Sequence, residues 1–285
     1  MTSIEPLTGG PSVHRRRFLR LTAPLAPLLA VAAALGVGWG GLYRDNPFVV
    51  AQAVGQDWVT LLFAVPALLI ARARARRGSL VGHLVALGVV GYAAYSYAIY
   101  AFASRQNELF LVYVAILGLS VYALIDGVLA IERREVEALG RAPIARRAIA
   151  ALLGGAAVFF AIAWISEQVA ALVRGEVPAS VVAFGGPTNP VHVLDLAFVL
   201  PLCALAAALL WRARAIGAVL GIVLLFKIDT LALALLSMGA FLWMRGQPVD
   251  AGLLIAFGAL ALLALAASAQ VLRALQGSRA LPRNA

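Results

Sequence analysis

Eight apolar runs, each close to the length that spans a bilayer, constrain this chain more than any other feature. A membrane-crossing helix takes about 20 apolar residues. Runs near that length lie at about 21–42, 57–73, 79–103, 109–131, 148–167, 193–211, 216–243 and 251–271. The run at 57–73 is short, but Arg72 and Arg74 can extend their stems along it and keep their charges at the surface. With 63% hydrophobic and only 13% charged residues, the chain carries more apolar surface than one soluble core can hide. Lipid can face those side chains directly, provided the backbone is satisfied within each segment. Long runs rich in Ala and Leu, without alternation, predict helices. The expected fold is an all-α polytopic bundle, with a basic tail at 1–20, a transmembrane domain at 21–271 and a second tail at 272–285.

The net charge of +10 would suggest nucleic acid in a soluble protein. Here the arginines cluster in short connections, as topology determinants do, and no nucleic-acid partner is expected. Arg15, Arg16, Arg17, Arg20, Arg72, Arg74, Arg76, Arg77, Arg133, Arg134, Arg141, Arg146, Arg147, Arg212, Arg214, Arg273, Arg279 and Arg283 fall on one side of an eight-span path. Only Arg44, Arg105, Arg174 and Arg245 fall on the other. Eighteen against four predicts both termini on the cytoplasmic side. The tryptophans Trp39, Trp58, Trp164, Trp211 and Trp243 read as an interfacial belt at span ends.

The stretch His14-Arg15-Arg16-Arg17-Phe18-Leu19-Arg20 before an apolar run resembles a twin-arginine export signal. Its one small-residue site, Ala30-Val31-Ala32, sits in mid-run, so an uncleaved first helix is the expectation. Phe63-Ala64-Val65-Pro66 followed by Arg72 and Arg74 has a parallel in Phe198-Val199-Leu200-Pro201 followed by Arg212 and Arg214. The spacing from proline to arginine differs by five residues, but the order fits two parallel repeats of four helices.

Charged groups inside a bilayer are costly and ask for partners. Lys227 and Asp229 fall near the centre of the seventh run, two residues apart, and so point to nearly opposite sides of a regular helix. Asn189-Pro190 reads as a turn and helix start. His192 and Asp195 then share a face, and Asp195 is the expected partner of Lys227. Glu167, at the end of the fifth run, joins them in an outward polar pocket. Tyr92 and Tyr95 lie deep enough for their hydroxyls to need partners. Asp126 reads as paired at the interface.

The single cysteine, Cys203, reads as a small core residue and allows no intrachain disulfide. With three histidines and one cysteine there is no metal spacing, and the sequence implies no cofactor. No P-loop, G-x-G-x-x-G, H-E-x-x-H or G-x-S-x-G pattern occurs.

Tyr95-Ser96-Tyr97-Ala98, Asn107 through Val114, Leu119-Ser120 and Asn189 through Pro201 resemble segments of multi-pass prokaryotic membrane proteins that have no settled activity. The resemblance implies a shared fold and the cytoplasmic membrane of a prokaryote, and carries over no functional residue. Intramembrane charge and a repeat together favour transport of a small solute or ion past Lys227, Asp229, Asp195 and His192. Two alternatives stand beside that expectation. One is a structural or accessory subunit, for which Lys227 should be bonded to a carboxylate in a dry centre. The other is a membrane enzyme acting on a lipid or quinone through Glu167, His192 and Asp195.

Overall fold

The structure is a computed structural model and describes residues 12–277. Arg279, Arg283 and most of the tail expected at 1–20 lie outside the described residues. The described chain is helical, with eight helices long and apolar enough to cross a membrane. They are α1 (Val13–Gly38), α2 (Pro47–Arg76), α3 (Leu80–Ala103), α4 (Phe110–Leu129), α6 (Arg146–Arg174), α8 (Pro190–Trp211), α9 (Ala215–Met244) and α10 (Ala251–Gly277). Two short helices, α5 (Arg133–Arg141) and α7 (Ala179–Phe184), sit in connections. The chain is a multi-pass integral membrane protein of the helical class.

Helix starts follow local chemistry. Asn46 caps α2 by accepting from Val49 N at 3.0 Å, with Pro47 in the first helical position, where a missing N–H costs nothing. Asn189 caps α8 the same way, accepting from Val191 N at 2.9 Å ahead of Pro190. Because Asn46-Pro47 opens α2, this span starts ten residues before the sequence expectation of 57. Asp57 therefore lies about 15 Å down a helix rather than at a membrane surface. The same extension places Trp58 inside α2, and Trp164 lies inside α6, so these two depart from the expected belt. Trp39, Trp211 and Trp243 do sit at helix ends.

The bundle is organised around α3 and α9, the two most enclosed spans. The α2 and α4 helices pack on α3, with α1 against α2 and α4, while α8 and α10 flank α9, and α6 packs on α8. The halves meet where α9 lies against both α2 and α3. Glycine permits this closeness. A Cβ on Gly55 of α2 would stand 2.8 Å from Met238 Cα, and one on Gly88 of α3 would stand 2.5 Å from Phe226 Cβ. On the arginine-rich side, Arg15 enters the protein and pairs with Glu135 of α5 at 2.8 Å, both side chains buried. Asp126 pairs with His14 at 2.7 Å rather than with Arg133 or Arg134.

The two halves share one register. Both α2 and α8 contain a single π-helical turn, at Thr60–Ala64 and Asp195–Val199, a shift of 135 residues (195 less 60). The same shift carries Pro66 to Pro201, the α2 terminus Arg76 to Trp211, and the α3 start Leu80 to Ala215. It carries Gly78, with φ at 80°, onto Ala213, the one non-glycine residue with positive φ among the described residues, at 53°. The hydrogen bonds of the turn also match. Gly78 and Ser79 donate to Ala75 O and Arg74 O, and Ala213 and Arg214 donate to Leu210 O and Leu209 O. In this register Arg212 answers Arg77, not Arg72, which removes the five-residue discrepancy seen in the sequence. The halves differ where Gly185–Asn189 interrupts the second one between α7 and α8; the corresponding stretch of α2 is continuous helix.

Candidate functional site

A π-helical turn adds a residue to one turn of helix and re-aims the side chains around it. In α8 that turn begins at Asp195, and it directs the carboxylate toward the space between α3, α6 and α9. Asp195 Oδ2 accepts from Trp164 Nε1 at 3.0 Å, and the Tyr95 hydroxyl lies beside it. Lys227 comes from α9, with its stem against Gly91 of α3, where Lys227 Cγ would stand 3.5 Å from an added Cβ. Its Nζ sits 4.2 Å above the centre of the Tyr95 ring, a cation–π contact. The side chain is 5% exposed, and Nζ has no hydrogen-bond partner among the described residues. Asp195 acts on it through space, without an ion pair within 4 Å.

Lys227 is one of the residues that line a cavity of about 290 Å³, with its amine nitrogen itself buried. The cavity runs from Ser180 and Asn189, on the side with few arginines, down to Lys227 and Cys203. Its walls are mainly apolar, with Phe160 and Phe257 stacked at 5.5 Å between ring centres. His192 stands on the same wall. Its ring stacks on Trp164 at 4.3 Å, Nδ1 is bonded to Gln168 Nε2 at 3.1 Å, and Nε2 is 3.8 Å from Glu167 Oε2. Glu167 also accepts from Ser180 N at 2.8 Å, which ties α6 to α7.

Of the residues expected from sequence, the structure gathers Lys227, Asp195, His192 and Tyr95 around the cavity, with Glu167 behind His192. Asp229 is elsewhere. It faces the opposite side of α9, as its spacing from Lys227 requires, and accepts from Ser268 Oγ of α10 at 2.5 Å. There it borders a second cavity, of about 360 Å³, with Phe63 and Arg74. Tyr92 is also elsewhere: its hydroxyl bonds Thr60 Oγ1 at 2.8 Å within the first half. Sequence reasoning missed Trp164 and Gln168, the first because it read as a belt residue. It missed Asp57, whose depth follows from Asn46-Pro47, the same start signal that located α8. It also passed over a signal in plain sight. Lys227 is the only lysine; every other one of the 23 basic residues is arginine.

No protein-family model, no curated protein and no solved structure matches this chain. The resemblance to multi-pass prokaryotic proteins therefore gains no named family, and the geometry of the site alone bears on function.

Proposed function

We propose that this protein moves a small solute across the cytoplasmic membrane of a prokaryote, and that Lys227 recognises an acidic group on that solute. The arginine-rich side then faces the cytoplasm, and the cavity opens outward. One observation carries the reading: a buried amine without a hydrogen-bond partner among the described residues, on a lysine that lines a cavity reaching one side of the bundle. A buried polar group left unbonded costs about 1–3 kcal/mol or more, and an anion arriving at Nζ removes that cost. The apolar walls suit a solute with a carboxylate at one end and a hydrocarbon or aromatic body. Asp195, held by Trp164, balances the lysine before the solute arrives. The accessory-subunit alternative calls for Lys227 bonded to a carboxylate in a dry centre. The absence of such a bond among the described residues, together with the cavity, favours transport over it.

The test uses purified protein and a panel of small aromatic and aliphatic carboxylates, each paired with its neutral amide. At least one carboxylate should raise the melting temperature and accumulate in proteoliposomes, while its amide does neither. Lys227→Met should abolish both responses. A Lys227→Met protein that folds normally and still takes up the carboxylate would overturn the reading.

A further inference from the structure

The first half holds a buried carboxyl that the cavity chemistry above does not use. Asp57 lies on α2, is 1% exposed and has no cation partner among the described residues. Removing a carboxylate from water without a counter-charge costs several kcal/mol. Asp57 instead has two phenols: Tyr43 donates to Oδ2, and Tyr100 lies 3.2 Å from Oδ1. Gly36 of α1 closes over this group, since a Cβ there would collide with both Oδ2 and the Tyr43 hydroxyl. The other groups facing Asp57 are Tyr92 and Tyr97 from α3 and Tyr113 from α4. All are phenols, so these groups bring no positive charge to hold the carboxyl in its ionised form.

Tyr100 links Asp57 to the cavity. Its ring is part of the cavity wall, as is Gln56 beside Asp57. Its one hydroxyl proton has two acceptors at the same distance, Asp57 Oδ1 and Ala53 O, each at 3.2 Å. An ionised Asp57 draws that proton to Oδ1. A protonated Asp57 accepts more weakly, and the proton turns to Ala53 O. The 135-residue register places Asp57 opposite His192, so both halves put a titratable group at this level of the cavity.

We propose that Asp57 is a proton-binding site that loads and unloads through Tyr100 to the solute cavity. In loading, the Tyr100 hydroxyl proton passes to Oδ1 as a proton from cavity water binds the phenol oxygen. Two O–H bonds break, one on Tyr100 and one on the hydronium that supplies the proton, and two form, on Asp57 Oδ1 and on the phenol oxygen; one proton is taken up, and no electron moves. The binding of the proton stands by itself; its coupling to solute movement rests on the transport reading.

The experiment is infrared spectroscopy of the full chain in phosphatidylcholine nanodiscs, titrated from acid to alkaline pH. It needs no solute. The expected result is a carbonyl band of a neutral carboxyl that fades as pH rises, is missing in Asp57→Asn, and moves in frequency in Tyr100→Phe. An Asp57→Asn spectrum that differs from wild type at no pH in this region would mean that Asp57 is always ionised. An Asp57-dependent band that never fades would mean a fixed proton. Either result overturns the proposal. If Asp57→Asn does not fold, Tyr100→Phe decides, and a fading band left unshifted there removes the link to the cavity. A titrating Asp57 band in a protein that accumulates no carboxylate would overturn the transport reading and leave the proton site in place.

Discussion

At matched positions the two halves of the bundle carry opposite chemistry. In the first half Thr60 opens the π-helical turn and Tyr92 faces it from α3, and their hydroxyls bond at 2.8 Å. In the second half the same register holds Asp195 and Lys227, and the amine has no hydrogen-bond partner among the described residues. One half has closed a neutral pair over itself. The other keeps an acid and a base apart beside a cavity. Both halves use the same device, a π-helical turn six residues before a proline in a helix that packs on the bundle centre. The scaffold is thus separable from what it presents, and residues of both halves line the cavity beside which the second half sets its acid and its base.

The largest expected effect comes from erasing that difference. Lys227→Met together with Asp195→Leu should abolish solute response and at the same time leave stability unchanged or raise it by up to about 4 kcal/mol, the outcome seen when both members of a buried ionic pair give way to apolar residues of similar size. A merely structural lysine would lose stability instead. Thermal unfolding in detergent, read beside the binding assay, separates the two, and a destabilised variant would count against a functional lysine.

The second prediction tests the shared register. A Cβ on Gly82 would stand 2.8 Å from Ala75 N, and one on Gly217 would stand 2.7 Å from Leu210 N. Both obstacles are backbone, at matched positions near the ends of α2 and α8, and neither can swing away. Gly82→Ala and Gly217→Ala should each destabilise by about 1–3 kcal/mol, the usual range for overpacking. Unfolding midpoints that fall for one and stay level for the other would break the correspondence.

How legible this was depends on what each signal is made of. The span count was legible because bilayer thickness sets run length directly, and the opposed directions of Lys227 and Asp229 because helix periodicity sets them. The extent of α2 was not, since Gln52, Gln56 and Asp57 interrupt the hydropathy that defines a run, while Asn46-Pro47 marks the true start. The repeat was half-visible. Pro66 and Pro201 stood out, but a turn whose left-handed residue is glycine in one copy and alanine in the other leaves little sequence trace. The role of Trp164 was hidden, because a belt and a hydrogen bond to Asp195 call for the same residue, and only depth tells them apart.

A third prediction sharpens the contrast at its neutral side. Thr60→Val and Tyr92→Phe each remove one partner of a buried hydrogen bond, and each should cost about 1 kcal/mol or somewhat more. Because the partner is shared, the double variant should cost less than the sum of the two. Solute response should survive all three, since this pair does not border the cavity. Loss of response in Tyr92→Phe with the fold intact would extend the functional site to the Thr60–Tyr92 pair.

The smallest effect lies at the turn that joins the second span of each half to the third. Ala213 holds φ at 53°, where an L side chain crowds the following carbonyl at a cost of about 1–2 kcal/mol. Glycine relieves that crowding but adds freedom to the unfolded chain, which offsets about 0.4–1 kcal/mol. Ala213→Gly should therefore stabilise by roughly 0.5–1 kcal/mol, the difference between those two terms. Gly78→Ala should destabilise by about the same, because it recreates the strain of the second half in the first. The prediction lies in the mirrored signs. A turn that merely tolerated alanine would show no gain on return to glycine, whereas two copies of one turn, each needing a left-handed residue, must show opposite shifts in the unfolding midpoint.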